Sequence, residues 1–428
     1  MAAFWGRLRS RGSKGAITLI FGTAFGQLIT LAITPILARM YSDTDFGYLS
    51  LVLSSASIAA PAAALRLESA LMLPRSSRDA TALLSAGLCS AVVISSFSAG
   101  LLTLLFSFGL LENMARLPWI SLWVAAIVFL TAAFTLLSQF ALRGHRYGPV
   151  ARRSIYQSGL AAGAQLGLGL MGPSATGLIG GYAIGRLAGI APLTLALRSE
   201  LERFTRRDMR RVVREYWRFP VLFAPSAVLN SAGLVLPILF VGTWFTVADA
   251  GQWGMADRLL AAPLVLVATS IGQVAEAHMS ETYRESRPGL ARYYVSVSGV
   301  LAAMSALMVV VIVFLGPWIV PIFLGDGWDK AVHIMIALLP MLATRLIASP
   351  MSKVLIVLQH GAWNLVLDVM RVVMVVTAVI VAISLDLDVV EAAWCTSITL
   401  SLVYVVTWIV GLQLARRYTP ASPQPVTA

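Results

Sequence analysis

Long apolar runs separated by short polar segments recur along the whole chain, and the alternating pattern of a barrel strand is missing. Runs of about 18 or more apolar residues read as membrane-spanning helices. They predict twelve spans: 15–38, 46–65, 82–107, 117–142, 154–171, 174–197, 219–241, 255–277, 291–315, 331–358, 363–384 and 391–414. At 1.5 Å per residue each crosses a hydrocarbon core of about 30 Å. Only Gly172-Pro173 separates the fifth span from the sixth. The first run is too long for a signal-peptide core and is followed at once by more spans, so it is expected to be a retained helix. The expected fold class is all-α, a polytopic membrane protein.

Composition agrees. Of 428 residues, 58% are hydrophobic and 12% charged, against roughly 25% charged in an average soluble domain. The net charge of +12 does not call for nucleic acid, because Lys and Arg gather on the cytoplasmic side of membrane proteins. With the spans above, twenty-four of the 32 Lys and Arg fall on the side of the N-terminus, and Arg39, Arg116 and Lys330 fall on the other. That asymmetry predicts cytoplasmic termini and an even number of spans. Eight arginines lie in the segment 198–218, a basic cytoplasmic linker whose amphipathic spacing suits a helix on anionic headgroups. The Pro-rich segment 415–428 is expected to be a disordered cytoplasmic tail. Cys89 and Cys395 lie inside apolar runs and suggest neither a disulfide nor a metal site.

The two halves repeat. Pro35 to Leu37 read PIL, followed by Asp45-Phe46-Gly47 and then Pro61. Pro237 to Leu239 read PIL again, followed by Asp249-Ala250-Gly251 and Pro263, at offsets of about 202–204 residues. Six spans per copy is an even number, so both copies enter the membrane from the same side. The expected architecture is two six-helix lobes, 1–197 and 219–414, related by a pseudo-two-fold along the membrane normal. Pro61 and Pro263 each sit within a span, where proline removes a hydrogen bond and kinks or loosens the helix.

The stretches TPILARMYSDTDFGYLSLVLSSASI (34–58), RLESALMLP (66–74) and MADRLLAAPLVLVATSIGQV (255–274) carry a family pattern, as does IFLGDGWDKAVHIMIALLPMLATRLIASPMSKVLIVLQH (322–360). They resemble the Wzx-type polysaccharide and O-antigen flippases of the multidrug/oligosaccharidyl-lipid/polysaccharide exporter superfamily. The resemblance implies a transporter of the bacterial inner membrane that works by alternating access. Its substrate would be undecaprenyl-pyrophosphate-linked oligosaccharide, moved from the cytoplasmic to the periplasmic leaflet for O-antigen, capsule or exopolysaccharide. Bilayer lipids and other polysaccharide-assembly proteins are the partners it suggests, with no cofactor.

Charges inside spans cost at least about 2.5–3.5 kcal/mol each at mid-helix and mark interiors or wet cavities. Five basic residues lie there: Arg186, Arg258, Arg345, Lys353 and Arg371, against the acids Asp257, Glu276 and Asp368. Arg186 and Arg345 lie about 18 and 21 Å into their spans, and Arg371 about 12 Å. Neither Arg186 nor Arg345 has an acid within one turn. An excess of buried positive charge suits a pyrophosphate, whose oxygens guanidinium groups fork bidentately. Arg345, Arg186, Arg371, Arg258 and Arg66 are therefore candidate contacts in a cationic lumen. Glu276, Asp368, Glu68 and Lys353 are candidates for coupling or gating. Each has a plainer reading: Arg258 and Lys353 can snorkel to an interface, Asp368 and Arg371 can satisfy each other at i,i+3, and Arg66 with Glu68 can be a fold element.

A cation antiporter of the same superfamily is the main alternative, but an arginine-bearing lumen has the wrong sign for its cargo. A membrane polymerase or ligase would need a sizeable outer loop, and the longest here, 316–330, is short. No metal-ligand or phosphate-loop motif is present, so no enzyme is expected.

Overall fold

The computed structural model describes residues 11–144, 146–285 and 287–418, with side chains left undescribed at 11–20, 147, 261–263, 265–270 and 361. The predicted tail therefore lies almost wholly outside the described residues, and so do the surroundings of Pro263. The described residues form helices joined by short loops, α-helical apart from a π-helical turn at Phe219–Phe223.

Its long helices are α1 (Arg11–Met40), α2 (Asp43–Ala63), α3 (Ser77–Ser107), α4 (Ile120–Arg143), α5 (Tyr147–Met171) and α6 (Ala175–Leu197). They continue as α7 (Ala224–Trp244), α8 (Val247–Arg284), α9 (Leu290–Leu324), α10 (Asp329–Met351), α11 (Gly361–Ser384) and α12 (Val389–Arg417). Ten helical stretches have the length and apolar character of membrane spans, so this is a polytopic membrane protein. The two predicted spans outside that ten fall on α5 and α8, which are 25 and 38 residues long. Both carry polar side chains, including Arg152, Arg153 and Gln157 on α5 and Asp257, Arg258 and Glu276 on α8. On α5 that polarity lowers the hydropathy without shortening the helix, whereas α8 runs through residues 261–263 and 265–270, whose side chains are not described. Large apolar side chains such as Phe97, Phe314 and Trp318 stand two-thirds exposed or more, as lipid-facing residues do.

Side-chain caps set many of the helix starts. Ser42 with Asp45 forms a capping box on α2, and Asp388 with Glu391 forms one on α12. Ser76 and Ser174 accept the N–H groups of Asp79 and Gly177 at the starts of α3 and α6. Each of these bonds satisfies a backbone donor that the first helical turn leaves free. At the far end of α2, shortly after Pro61, Leu65 and Arg66 both take left-handed backbone (φ 52° and 57°) and end the helix.

The chain divides into two compact units, 1–254 and 255–428. The sequence sets its lobe boundary earlier, at 198–218; in the structure α7 packs on α2 and stays with the first unit. Within that unit α1 lies on α5, α5 on α6, α3 on α4, and α2 against α4 and α6. The polar interior is satisfied across helices: the Tyr41 hydroxyl donates to the Gln165 carbonyl (2.6 Å), and the Gln165 amide donates to the Leu178 carbonyl (3.0 Å).

The repeated Asp-x-Gly triplets have a structural job here. Thr246 and Asp249 cap α8 as Ser42 and Asp45 cap α2, with the threonine hydroxyl donating to Asp249 Oδ2 at 2.6 Å. One step further on, a Cβ on Gly47 would overlap the Val247 carbonyl, and a Cβ on Gly251 would overlap the Asp43 carbonyl. Only glycine lets the two backbones approach this closely. Ser50 and Gly254 continue the contact.

The linker contains a ten-residue helix, Arg206–Glu215, capped by Thr205 and Asp208. It docks on α3: Arg78 donates to Asp208 at 2.7 Å, Arg211 pairs with Asp79, and Val212 is fully buried. Arg206, Arg207, Arg210 and Arg214 stay exposed.

In the second unit α10 packs on α12 and α9, and α11 packs on α12. Tyr294 is fully buried at its core with Leu301, Met351 and Val354. Its hydroxyl donates to the Trp408 carbonyl (3.1 Å), and the Trp408 indole donates to Ser298 (2.9 Å).

Candidate functional site

Most of the predicted interior charges meet an opposite charge. Arg371 on α11 is buried and donates to Asp368 Oδ1 at 3.0 Å, one turn earlier on its own helix. Its guanidinium also lies over the Tyr404 ring of α12, 5.4 Å from the centroid. Arg345 on α10 is half-buried and within Coulombic reach of Asp257 on α8. The sequence shows no acid within a turn of Arg345; the acid comes from a different helix. Arg258, next to Asp257, is also half-buried. Lys353 and Glu276, both coupling candidates, pair with each other at 3.5 Å and are each about two-fifths exposed. A pair so wet contributes little to stability.

Arg66 and Glu68 form an ion pair of 3.4 Å just past the left-handed break at the end of α2. Glu68 is buried, and its second carboxylate oxygen has no hydrogen-bond partner. Burial pushes its carboxyl above the usual range, with its own backbone N–H and then Arg66 pulling the other way. A carboxyl held this way keeps its proton to a higher pH than one in water.

Arg186 on α6 has no acid beside it, as its sequence surroundings suggest, but it is not alone. Arg153 of α5, counted by sequence among the loop charges, sits inside the same helical group. Its guanidinium carbon lies 3.3 Å from the centre of the Phe134 ring on α4, and that of Arg186 lies 5.2 Å from the same ring. Arg186 donates to the Tyr182 hydroxyl at 2.7 Å, and Arg153 donates to the Ser138 hydroxyl. The sequence signal for Arg153 was faint: Gln157 lies one turn on, giving α5 a polar face that the neighbouring Arg152 disguised as a loop flank.

Among the described residues no group of three His, Cys, Asp or Glu side chains could hold a metal ion. The groups on hand are guanidinium donors, whose charge suits an anion, and the buried carboxyl of Glu68.

A family model described as polysaccharide biosynthesis protein matches residues 36–333. The fold is shared with solved transporters. The lipid II flippase MurJ in an inward closed conformation superposes with a TM-score of 0.69 at 15% identity, over 93% of this chain and 87% of that one. An inward-facing multidrug resistance MATE family transporter of the MOP superfamily gives 0.57 at 13% identity, over 93% and 94%. A MOP superfamily transporter from Pyrococcus furiosus, described with a binding pocket of reverse polarity, gives 0.59 at 15% identity, over 96% of each chain. No curated protein matches the chain in sequence. The chain shares the fold of these proteins, as the resemblance in 34–58 and 255–274 implied.

Proposed function

Because the chain belongs to the polysaccharide biosynthesis protein family, we propose that it flips a polyprenyl-diphosphate-linked oligosaccharide across the bacterial inner membrane. Movement runs from the cytoplasmic to the periplasmic leaflet by alternating access, with twelve crossings and both termini in the cytoplasm. The observation that carries this reading is the family match combined with an interior rich in arginine. Arg186, Arg345 and Arg371 lie within helices of a membrane transporter fold.

The costly part of such a substrate is its diphosphate. A sugar exchanges its hydrogen bonds with water for others at modest cost, whereas an anion in hydrocarbon needs a countercharge. Arginine supplies that charge with forked donors, and it stays protonated in any environment this protein offers. Arg345, Arg186, Arg371, Arg258 and Arg66 are the groups that would meet this anion. The acids beside Arg66 and Arg371 hold those guanidinium groups until the substrate competes for them. Glu68, Asp368, Glu276 and Lys353 then gate or couple that exchange. Drug-cation export shares the fold, but this interior has the wrong sign for it.

Deletion of the gene tests the reading. Lipid-linked oligosaccharide should accumulate on the cytoplasmic face, and Arg345→Ala should fail to restore surface polysaccharide while still reaching the membrane. Unchanged lipid-linked pools with altered drug tolerance would favour the cation antiporter.

A further inference from the structure

Arg153 and Arg186 differ from the other interior basic groups. Arg371 pairs with Asp368, Lys353 with Glu276 and Arg66 with Glu68, and Arg345 has the Asp257 carboxyl within Coulombic reach. The charged group that acts on Arg153 is Arg186, another cation. Their hydrogen-bond partners are the neutral hydroxyls of Ser138 and Tyr182. The Nε atoms of both arginines are buried without an acceptor.

Two like charges beside one aromatic ring, with donors to spare, make an unbalanced arrangement. The face of Phe134 offsets only part of the cost of desolvating the guanidinium groups. An anion placed between them would remove their repulsion and accept the unused N–H groups.

The geometry points to a diphosphate-binding subsite at Arg153 and Arg186, inside the group formed by α4, α5 and α6. This deepens the flippase reading and rests on it. Arg153 lies about 9 Å from the start of α5, and Arg186 about 17 Å from the end of α6, at 1.5 Å per residue. Those two ends are tied together by the ion pair of Arg146 with Glu200. Arg153 therefore lies in the half of α5 nearer the linker and Arg186 at the midpoint of α6, so a headgroup arriving from the cytoplasmic leaflet meets Arg153 first. The guanidinium carbons of Arg153 and Arg186 lie over the Phe134 ring at 3.3 and 5.2 Å from its centroid, and the edge of a guanidinium is what forks onto phosphate oxygens. Phospholipid headgroups and free pyrophosphate share part of this chemistry, and two guanidinium groups match the charge of the doubly charged diphosphate ester.

The test uses the full-length protein in nanodiscs of phosphatidylcholine. Its thermal midpoint and binding are followed with undecaprenyl diphosphate, inorganic pyrophosphate or added phosphatidylglycerol. Undecaprenyl diphosphate should stabilise the wild type, and R153Q and R186Q should each weaken its binding about tenfold or more. Pyrophosphate should show the same dependence on both arginines at lower affinity. Without ligand, R153Q and R186Q should melt at or above the wild-type temperature, because each removes one of two repelling charges. R153K, which keeps the charge and loses the fork, should bind with intermediate affinity.

Binding that is indifferent to both substitutions sinks the subsite and leaves the transport reading standing. Failure of the wild type to bind undecaprenyl diphosphate sinks both. Equal stabilisation by phosphatidylglycerol would make this a general anionic-lipid site and overturn the assignment. Misfolding of both R153Q and R153K would assign the pair to the scaffold and overturn it too.

Discussion

Gly47 and Gly251 make the same contact, each with the other's helix. Gly47 lies on the backbone of Val247, and Gly251 lies on the backbone of Asp43. The positions exchange under the repeat offset of about 204 residues, so the repeat in sequence is also a reciprocal contact in space. Capping boxes fix both helix starts, and glycine then lets the starts meet backbone to backbone.

Gly47→Ala and Gly251→Ala should each lower the thermal midpoint of the purified protein, with an overpacking cost of about 1–3 kcal/mol. Because both side chains intrude on one contact, the double variant should lose less than the sum of the two. Gly100→Ala on α3 is the control, since a Cβ there meets nothing within 4 Å. A Gly47→Ala protein as stable as that control would contradict the close approach.

Glu68 should make stability depend on pH. Its folded carboxyl is pushed above the ordinary value by burial, so the folded state favours the proton. The stabilisation from this group is complete below the unfolded value, about 4.3, and is lost as pH rises through the higher folded value. Glu68→Gln should flatten that dependence and leave the protein at least as stable at high pH. Thermal melts from pH 4 to 8 would show it, and identical profiles for E68Q and the wild type would refute it.

Asp208 carries the opposite sign. The Thr205 backbone N–H and hydroxyl, followed by Arg78, hold its carboxyl at about 2. Docking of the linker helix on α3 should persist above the unfolded value of about 3.9 and fail as pH falls towards 2. At neutral pH, Asp208→Ala should loosen the linker and speed tryptic cleavage at exposed Arg206, Arg207 and Arg210. High salt should act in the same direction, since Arg78 and Arg211 are half-exposed.

Asp368→Ala should be more damaging than Arg371→Met. The first leaves a buried guanidinium without its carboxylate, at a cost of about 3–5 kcal/mol, whereas the second removes the charge and keeps the volume. Expression level and thermal midpoint in detergent would rank the two. A reversed order would mean that the pair is held by something other than mutual neutralisation.

The sequence by itself determined the helices and their apolar character, the Asp368–Arg371 pair and the repeated triplets. These depend on neighbours a few residues away: hydropathy within one run, a carboxylate one turn before an arginine, a serine three residues before an aspartate. It also supplied the family pattern. What tertiary structure alone decided is which charges are neutralised and by whom. Asp257 reaches Arg345 from another helix, Glu68 loses its water to packing around it, and Arg153 leaves the loop charges to join Arg186 at Phe134. The glycines of the triplets likewise read as turn residues until α2 and α8 are brought together. The reason is the same each time. The free energy of a charge or a close backbone contact is set by what stands within a few ångströms in space, and hydropathy along a chain carries no record of that.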